Sequence, residues 1–427
     1  MTHLTPPPSI AGRCATIPDV TRAAGPTGLP SRPRRIDVAE RRLRLGRRQR
    51  LVVPASGPVD AAAAMVALHG TDPTTVYLSI WARTGGAAAV PDVERALYDD
   101  RTLLRLLGMR RTVFVVPTAA APGVLVSCTR DVLARERRKL LGWLAAAGVA
   151  ADVERWLVDV ETAALDALTH LGEATAVELA ETDPRLRLEI ALGNEGTARV
   201  ASRVLLVLAA QGRIVRGRPL GSWSSTRFRW TPTDRWVPGG LAEPDVRTAE
   251  EDLARRWLAT FGPALPDDLR WWTGWTLTRT RGVLARIGAV EVDLDGVPGV
   301  VAADDVAPEH ESGGAPPPGP WVALLPGLDP TPMGWSHRDF YLGPHAPALF
   351  DRTGNVAPTV WADGRVVGGW TQRPDGRIAF GLLEDVGAEA VAAIEARAAA
   401  LAAHLGPARL AVRGRRAAPL EQELRGA

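Results

Sequence analysis

Residues 196–236 read "GTARVASRVLLVLAAQGRIVRGRPLGSWSSTRFRWTPTDRW". Apolar side chains recur at helical spacing from Val200 to Leu208, a glycine ends the run, and two strand-like segments follow across a Gly/Ser-rich turn. A helix that feeds straight into a hairpin is a small unit, and it needs neighbours to cover its apolar faces. Two shorter helical segments precede it in "TAVELAETDPRLRLEIAL", which gives the order helix, helix, helix, strand pair of a winged helix. The longest of these helices is the expected recognition helix, with Arg199 and Arg203 on it, and the turn from Ser222 to Thr226 is the expected wing.

The same order is read twice more. Helical segments are expected at about 60–69, 73–84 and 91–107, ahead of the β-rich run "RRTVFVVP". Long helical stretches then fill about 121–170. Further on, "TAEEDLARRWLATFG", "PDDLRWWTGW" and "TRTRGVLARIG" are three helical segments before "AVEVDLDGVPGVVAADD", a strand pair around the turn "DG". After the linker "HESGGAPPPGP", residues 321–383 read as short strands with turn signals, followed by the helix "AEAVAAIEARAAALAAHLG" and a closing strand "ARLAVRG". The expected class is α+β: three tandem winged-helix modules followed by a C-terminal β-barrel-like domain. The expected segments are a disordered lead 1–34, module one 35–120, a helical linker with module two 121–242, module three 243–312, the barrel-like domain 319–415 and a tail 416–427.

Composition narrows the function classes. Hydrophobic residues make up 46% of the 427 and charged residues 23%, and no apolar run approaches the ~20 residues that cross a bilayer. The first residues hold no apolar core of a secretion signal, so a cytoplasmic protein is expected. Cys14 and Cys128 are the only cysteines, and the seven histidines lack ligand spacing. Neither a disulfide framework nor a metal site is therefore expected, and no cofactor is implied. Lys139 is the single lysine, so the basic charge is nearly all arginine, and it is unevenly spread. Residues 32–50 hold nine arginines against two acids, whereas residues 236–312 hold twice as many acids as bases. Such segregation is expected of a protein that meets a polyanion with one face and water with the other. GC-rich coding explains the use of arginine but not its clustering. Winged helices also serve as protein scaffolds; the basic runs favour duplex DNA.

One short stretch, "LHGTDP" at residues 68–73, sets His69, Thr71 and Asp72 between two apolar runs. On spacing alone it is a helix ending at Gly70 and a new helix capped by Thr71 or Asp72 ahead of Pro73. The wider sequence resembles the winged-helix DNA glycosylases of the AlkZ and YcaQ type. The resemblance runs from about residue 35 to 415 and rests on "ARTGGAAAVPDVERALYDDRTLLRLLGMRRTVFVVP", "WLATFGPALPDDLRWWTGW", "WVALLPGLDPTPMGWSHRDFYL" and "GNVAPTVWADGRVVGGW". It implies a monomeric C-shaped assembly that encloses duplex DNA and hydrolyses the N-glycosidic bond of alkylated purines, bulky natural-product adducts and crosslinks among them. That activity belongs to DNA repair or to self-resistance against DNA-alkylating antibiotics, in a cytoplasmic, nucleoid-associated protein. The family's catalytic signature is Gln, an apolar residue, then Gln or Asp, commonly followed by Asp-Pro. Here His69 stands for the first Gln, Gly70 for the apolar residue and Thr71 for the last, a departure at both positions most tied to catalysis.

The chemistry implied by the resemblance needs a water near C1′ and negative charge beside an oxocarbenium-like sugar. Neutral His69 can accept a proton from that water while Thr71 hydrogen-bonds it, and Asp72 can supply charge if it faces the site; its capping role competes. Lys139 sits in "RERRKLLGW", a charged helix face, which favours a solvent or phosphate contact over a Schiff base and hence a monofunctional enzyme. Arg47, Arg48, Arg110, Arg111, Arg199, Arg203, Arg227, Arg229, Arg352 and Asn355 are the expected DNA contacts. Trp271, Trp272 and Trp275 can stack on an adduct, although core packing suits most of them. The competing reading is a DNA-binding protein without catalysis, either a damage sensor or a transcription regulator.

Overall fold

The computed structural model describes residues 32–308, 319–410 and 417–426. The expected lead up to residue 31, the linker from 309 to 318 and the part of "ARLAVRG" beyond residue 410 lie outside the described residues.

Strand β1 (Arg34–Arg35) leads into helix α1 (Val38–Arg48), whose first turn is closed by Asp37 accepting from the Glu40 amide at 2.9 Å. Helix α2 (Pro58–Ala64), strand β2 (Leu68–His69), helix α3 (Pro73–Arg83), helix α4 (Val90–Glu94) and strands β3 (Leu103–Leu107) and β4 (Val113–Pro117) follow. Two expectations are corrected here. The helix read over 60–69 stops at Ala64; Val66 takes a left-handed φ of 62° and turns the chain, so that Leu68 and His69 pair with Val115 and Phe114 as the third strand of a β2-β4-β3 sheet. The helix read over 91–107 ends in a wide turn at Asp99, and Leu103–Leu107 is a strand buried on both faces. A continuous apolar run such as "LLRLL" has no period that tells strand from helix.

Helices α5 (Ala121–Val124), α6 (Arg130–Ala146), α7 (Val153–Leu171), α8 (Ala176–Ala180) and α9 (Pro184–Arg187) come next. Strands β5 (Glu189–Ala191) and β6 (Thr197–Arg199) form a small hairpin before helix α10 (Val200–Ala210), and the hairpin β7 (Ile214–Pro219) and β8 (Phe228–Pro232) follows it. After α11 (Thr233–Trp236), helices α12 (Val246–Phe261), α13 (Pro266–Thr273) and α14 (Leu277–Arg286) precede the hairpin of β9 (Val290–Leu294) and β10 (Val297–Val301). Asp245, the Leu265/Asp268 pair and Thr276 cap these three helices. Asp295 and Gly296, at φ 54° and 92°, make the tight hairpin turn. Strand β1 adds to β9 in parallel, so the start of the described chain is tied to this hairpin.

The last region corrects a third expectation. Strands β11 (Val322–Leu325), β12 (Thr359–Ala362), β13 (Arg365–Gln372) and β14 (Ile378–Leu382) form one open antiparallel meander in the order β11-β12-β13-β14, not a barrel. Closure around a filled interior needs about eight strands, and four leave two edges. Helix α15 (Ala388–Leu405) packs on β11 and β14, and helix α16 (Pro419–Gly426), in the stretch read as a tail, packs on β13 and β14.

Two main cores, with two small satellites, lie within the compact unit Arg34–Ala427. A large one joins residues from Leu45 to Leu420, including Trp81, Trp257, Trp335, Trp361 and Trp370; a second, built on α6 to α10, gathers Leu140, Leu157, Val160, Leu168, Val204 and Leu208. Beside that shared core, one link between the first helices and the C-terminal region is polar and fully buried. Arg83, at the end of α3, and Asp329, in the loop after β11, are both fully buried and meet in a bidentate pair at 2.8 and 2.9 Å. Ser79 donates to the same carboxylate at 2.6 Å, and Arg83 also donates to Thr331 Oγ1 at 2.7 Å. Burial on its own would raise the Asp329 carboxyl, but the Arg83 charge and these hydrogen bonds outweigh it and hold the group below the ordinary aspartate range. Cys128 is buried, which pushes its thiol up to about 12.

Removing one partner would strand a buried charge. Asp329→Ala is expected to cost about 3–5 kcal/mol in urea unfolding. Because the folded value lies below the unfolded one, the carboxylate's contribution is complete above the unfolded value and fades as the pH drops through the folded one. The variant should therefore lose part of the acid sensitivity of the parent, seen as a flatter stability curve toward low pH.

Candidate active site and nucleic-acid interface

The stretch "LHGTDP" lies where β2 hands over to α3. His69 is half-buried, with its ring edge-on to Phe114 at 5.7 Å between centroids. Gly70 is buried: its amide donates to the Val113 carbonyl at 2.7 Å, and its own carbonyl accepts from Arg105 Nη1. A Cβ at Gly70 would sit 3.2 Å from Arg105 Nη1 and 3.2 Å from the Phe114 carbonyl carbon, which accounts for glycine at this position. Thr71 is exposed. Asp72 caps α3, accepting from the Thr74 amide at 2.9 Å and the Thr74 hydroxyl at 2.7 Å, with Pro73 at the first helical position. The break is therefore strand to helix, with His69 in register with Phe114 and Thr71 at the open edge. Asp72 also lines a small cleft with Trp370, Thr371 and Arg425 from the C-terminal region. The chemistry open to this group is modest and specific: an imidazole edge, a hydroxyl and a carboxylate within four consecutive residues, fixed by one sheet bond and one helix cap.

Aromatic groups from the second hairpin come to the same helix. Trp223, in the β7–β8 turn, packs on Tyr77 of α3 with centroids 4.9 Å apart, and Arg218 lies over Tyr98 at 4.9 Å while pairing with Asp99 at 2.8 Å. Burial raises the Tyr77 phenol, so it stays protonated. The expected wing thus reaches back toward the "HGTD" edge.

The expected DNA contacts fall into different settings. Arg48 is engaged inside the fold, holding Asp305 at 2.6 Å and the Gly262 carbonyl at 3.1 Å, while Arg47 is half-buried in the last turn of α1. Arg110 and Arg111, at the β3–β4 turn, both take left-handed φ, 52° and 65°, a conformation that costs about 1 kcal/mol or more per residue. Arg110 places its guanidinium over Trp271 at 4.0 Å, and Arg338 covers the same ring at 5.1 Å. Arg111 pairs with Glu136 at 3.0 Å. Lys139, half-exposed on α6, reaches Glu136 at 3.7 Å and Glu195 at 3.5 Å. Arg203 lies over Trp143 at 5.6 Å close to this group, and burial lowers its guanidinium. Arg199 is exposed at the start of α10, and Arg227 is exposed beside the β7–β8 turn. Arg229 pairs with Glu173 and Glu178 at 3.7 and 3.5 Å. Arg352 is exposed, whereas Asn355 is spent on its own turn, donating to Asp351 at 3.0 Å and Thr353 at 2.8 Å. Trp272 and Trp275 are buried, the latter donating to the Ser127 carbonyl at 2.8 Å; Trp271 alone of the three is half-open.

Sequence reasoning passed over Arg105 and the grouping of Ser336, His337 and Asp268. Asp268 Oδ1 accepts from Ser336 Oγ at 2.7 Å and His337 Nδ1 at 2.9 Å. Serine and carboxylate thus meet the same imidazole nitrogen, an anchor for the turn rather than a nucleophile relay. Arg105 betrayed itself only as a charge inside "LLRLL". Among the described residues no cluster of three or more His, Cys, Asp or Glu is arranged to hold a metal ion, and no helix is long and apolar enough to cross a membrane.

The capping geometry has a direct consequence. Asp72→Ala should lower thermal stability by about 1 kcal/mol, whereas Asp72→Asn, which caps as well, should leave it unchanged.

Comparison with known proteins gives three findings. The family model described as DNA glycosylase AlkZ-like matches residues 62–404. The solved structure of the DNA glycosylase AlkZ from Streptomyces sahachiroi superposes with a TM-score of 0.68 at 22% identity, covering 89% of this chain and 99% of that one. Among curated proteins none matches.

Proposed function

The chain belongs to the AlkZ-like DNA glycosylase family, and from that premise we propose that it is a monofunctional glycosylase that hydrolyses the N-glycosidic bond of alkylated purines in duplex DNA and leaves an abasic site. The observation that carries this reading is the position of "HGTD" at the exposed edge where β2 meets α3, within the matched span. Three helix-and-hairpin units, read as winged helices in a C-shaped monomer around duplex DNA, carry the site.

The reaction asks little of an acid. Alkylation leaves the purine cationic, so the C1′–N bond breaks with its electron pair passing to the base, and the sugar becomes oxocarbenium-like. A water then adds to C1′. In this reading Thr71 holds that water, His69 takes its proton, and the Asp72 carboxylate lowers the energy of the sugar cation across the helix start. Thr71 is exposed and His69 half-buried, which fits a bulky adduct approached at an open edge rather than a deep base-flipping pocket. The engagement of Lys139 with two carboxylates fits a hydrolase without Schiff-base chemistry. Bulky natural-product adducts and crosslinks are the substrates this edge suits best, which would place the protein in DNA repair or antibiotic self-resistance, in the cytoplasm beside the nucleoid.

The test incubates purified protein with duplex DNA bearing 7-alkylguanine or a bulky adduct and measures free base. Release is expected, with His69→Ala and Thr71→Ala each slowing it by about tenfold or more while duplex binding stays. Asp72→Asn should slow release without loss of stability, separating charge from capping. Duplex binding with steep salt dependence but no base release from any alkylated substrate would instead establish a sensor or regulator.

A further inference from the structure

Arg216, in the middle of β7, is a half-buried cation without a hydrogen-bond or ion-pair partner among the described residues. Its guanidinium lies over Phe228 at 5.4 Å and over Trp230 at 5.0 Å. Arg105 comes over the same Phe228 ring at 4.7 Å; it is 2% exposed, and its Nε and Nη2 have no acceptor. Burial, with the like charge of Arg105 next to it, pulls Arg216 down to about 10, still cationic at neutral pH. Other arginines of this hairpin are neutralised: Arg218 by Glu94 and Asp99, Arg229 by Glu173 and Glu178. Two neighbouring cations, one buried and one half-buried, with no carboxylate between them are an arrangement that a fold does not keep cheaply.

The cavity beside them shows what would complete it. Arg216 and Trp230 line both a small inner space that Arg105 also lines and an outer cleft of about 380 Å³. Arg227, Thr226, Thr175 and Val177 contribute to the outer cleft, and no acidic residue lines it. Val177 is 63% exposed there, an apolar side chain without cover. Aromatic and apolar walls, two unneutralised guanidiniums and hydroxyls in a space of this size match a base with its attached phosphate.

We propose that this cleft binds one deoxynucleotide of the substrate strand, with its phosphate on Arg216 and Arg227 and its base against Trp230 and Val177. The proposal rests on the reading of the chain as DNA-acting and gives it a location. Arg105, whose Nη1 holds the Gly70 carbonyl, lies over the Phe228 ring that lines the cleft, so one buried side chain connects the wall of the strand site to the "HGTD" edge. An anion in the cleft would balance the pair that the protein leaves uncompensated.

The test uses the full chain and binding alone, so its outcome is independent of base release. Calorimetric titration with deoxyadenosine monophosphate should show a saturable site, with deoxyadenosine or inorganic phosphate binding about tenfold or more weakly by itself. Arg216→Gln should weaken the nucleotide by a similar factor without lowering resistance to unfolding, since it removes one of two adjacent uncompensated cations. Arg227→Gln, at an exposed position that cannot disturb the core, should move affinity in the same direction. An undamaged duplex should displace the nucleotide, and Arg216→Gln should reduce the salt slope of duplex binding by about 0.9. Nucleotide binding that is undisturbed in both variants, or absent in the parent, overturns the site. Binding that depends on Arg216 but resists displacement by duplex assigns the cleft to a free nucleotide and overturns its assignment to the strand.

Discussion

The pair of Arg83 and Asp329 fixes how the first helices meet the C-terminal sheet. Such a pair is a poor source of net stability, because desolvating two charges cancels much of their attraction. What it supplies is register. Two donors of one guanidinium match two carboxylate oxygens, Ser79 and Thr331 add further hydrogen bonds to the pair, and Thr75 donates to the Gly327 carbonyl at 2.7 Å one turn earlier. Helix α3 thereby has one seat, and its capped start, with Asp72 and the "HGTD" edge, is placed against Trp370 and Thr371 by the far end of the same helix.

Charge is used in two ways. In the sequence, nine arginines at 32–50 and an acidic stretch at 236–312 look like a basic face and a solvated one. In the fold much of that segregation is complementarity between distant segments: Arg35 meets Asp295, and Arg44 and Arg48 share Asp305. Arginines without a carboxylate partner lie elsewhere, among them Arg110 and Arg338 about Trp271 and Arg216 with Arg227 in the β7–β8 cleft. A count of charges along a chain cannot separate these two uses, since neutralisation depends on which segments touch.

The helices and hairpin of residues 246–301 were legible to within about two residues, the hairpin from its Asp-Gly turn, while Asp245 and Thr276 as caps and Gly274 at φ 79° are the boundary chemistry that the structure adds. The first unit was not legible to that degree. Leu103–Leu107 lacks period, and the strand at Leu68–His69 is two residues long, set by its pairing with β4 rather than by any local preference. The sheet at 322–382 was legible as strands but not as an open sheet, since closure is a matter of strand number and tilt. His69, Thr71 and Asp72 were singled out by resemblance, and the sequence read the cap of α3, as Thr71 or Asp72, by chemistry; the structure gives it to Asp72. Arg105 escaped because a buried charge looks, in one dimension, like an interruption.

The same preference for arginine leaves few strong nucleophiles on the described residues. Cys128, the cysteine among the described residues, is a buried thiol pushed up to about 12, so hardly any of it is thiolate at neutral pH. Lys139, the single lysine, faces Glu136 and Glu195, and arginine, which supplies the remaining positive charge, stays protonated and non-nucleophilic. Among the described residues an electrophile therefore meets arginine cations far more often than an amine, of which Lys139 offers one, already paired with two carboxylates.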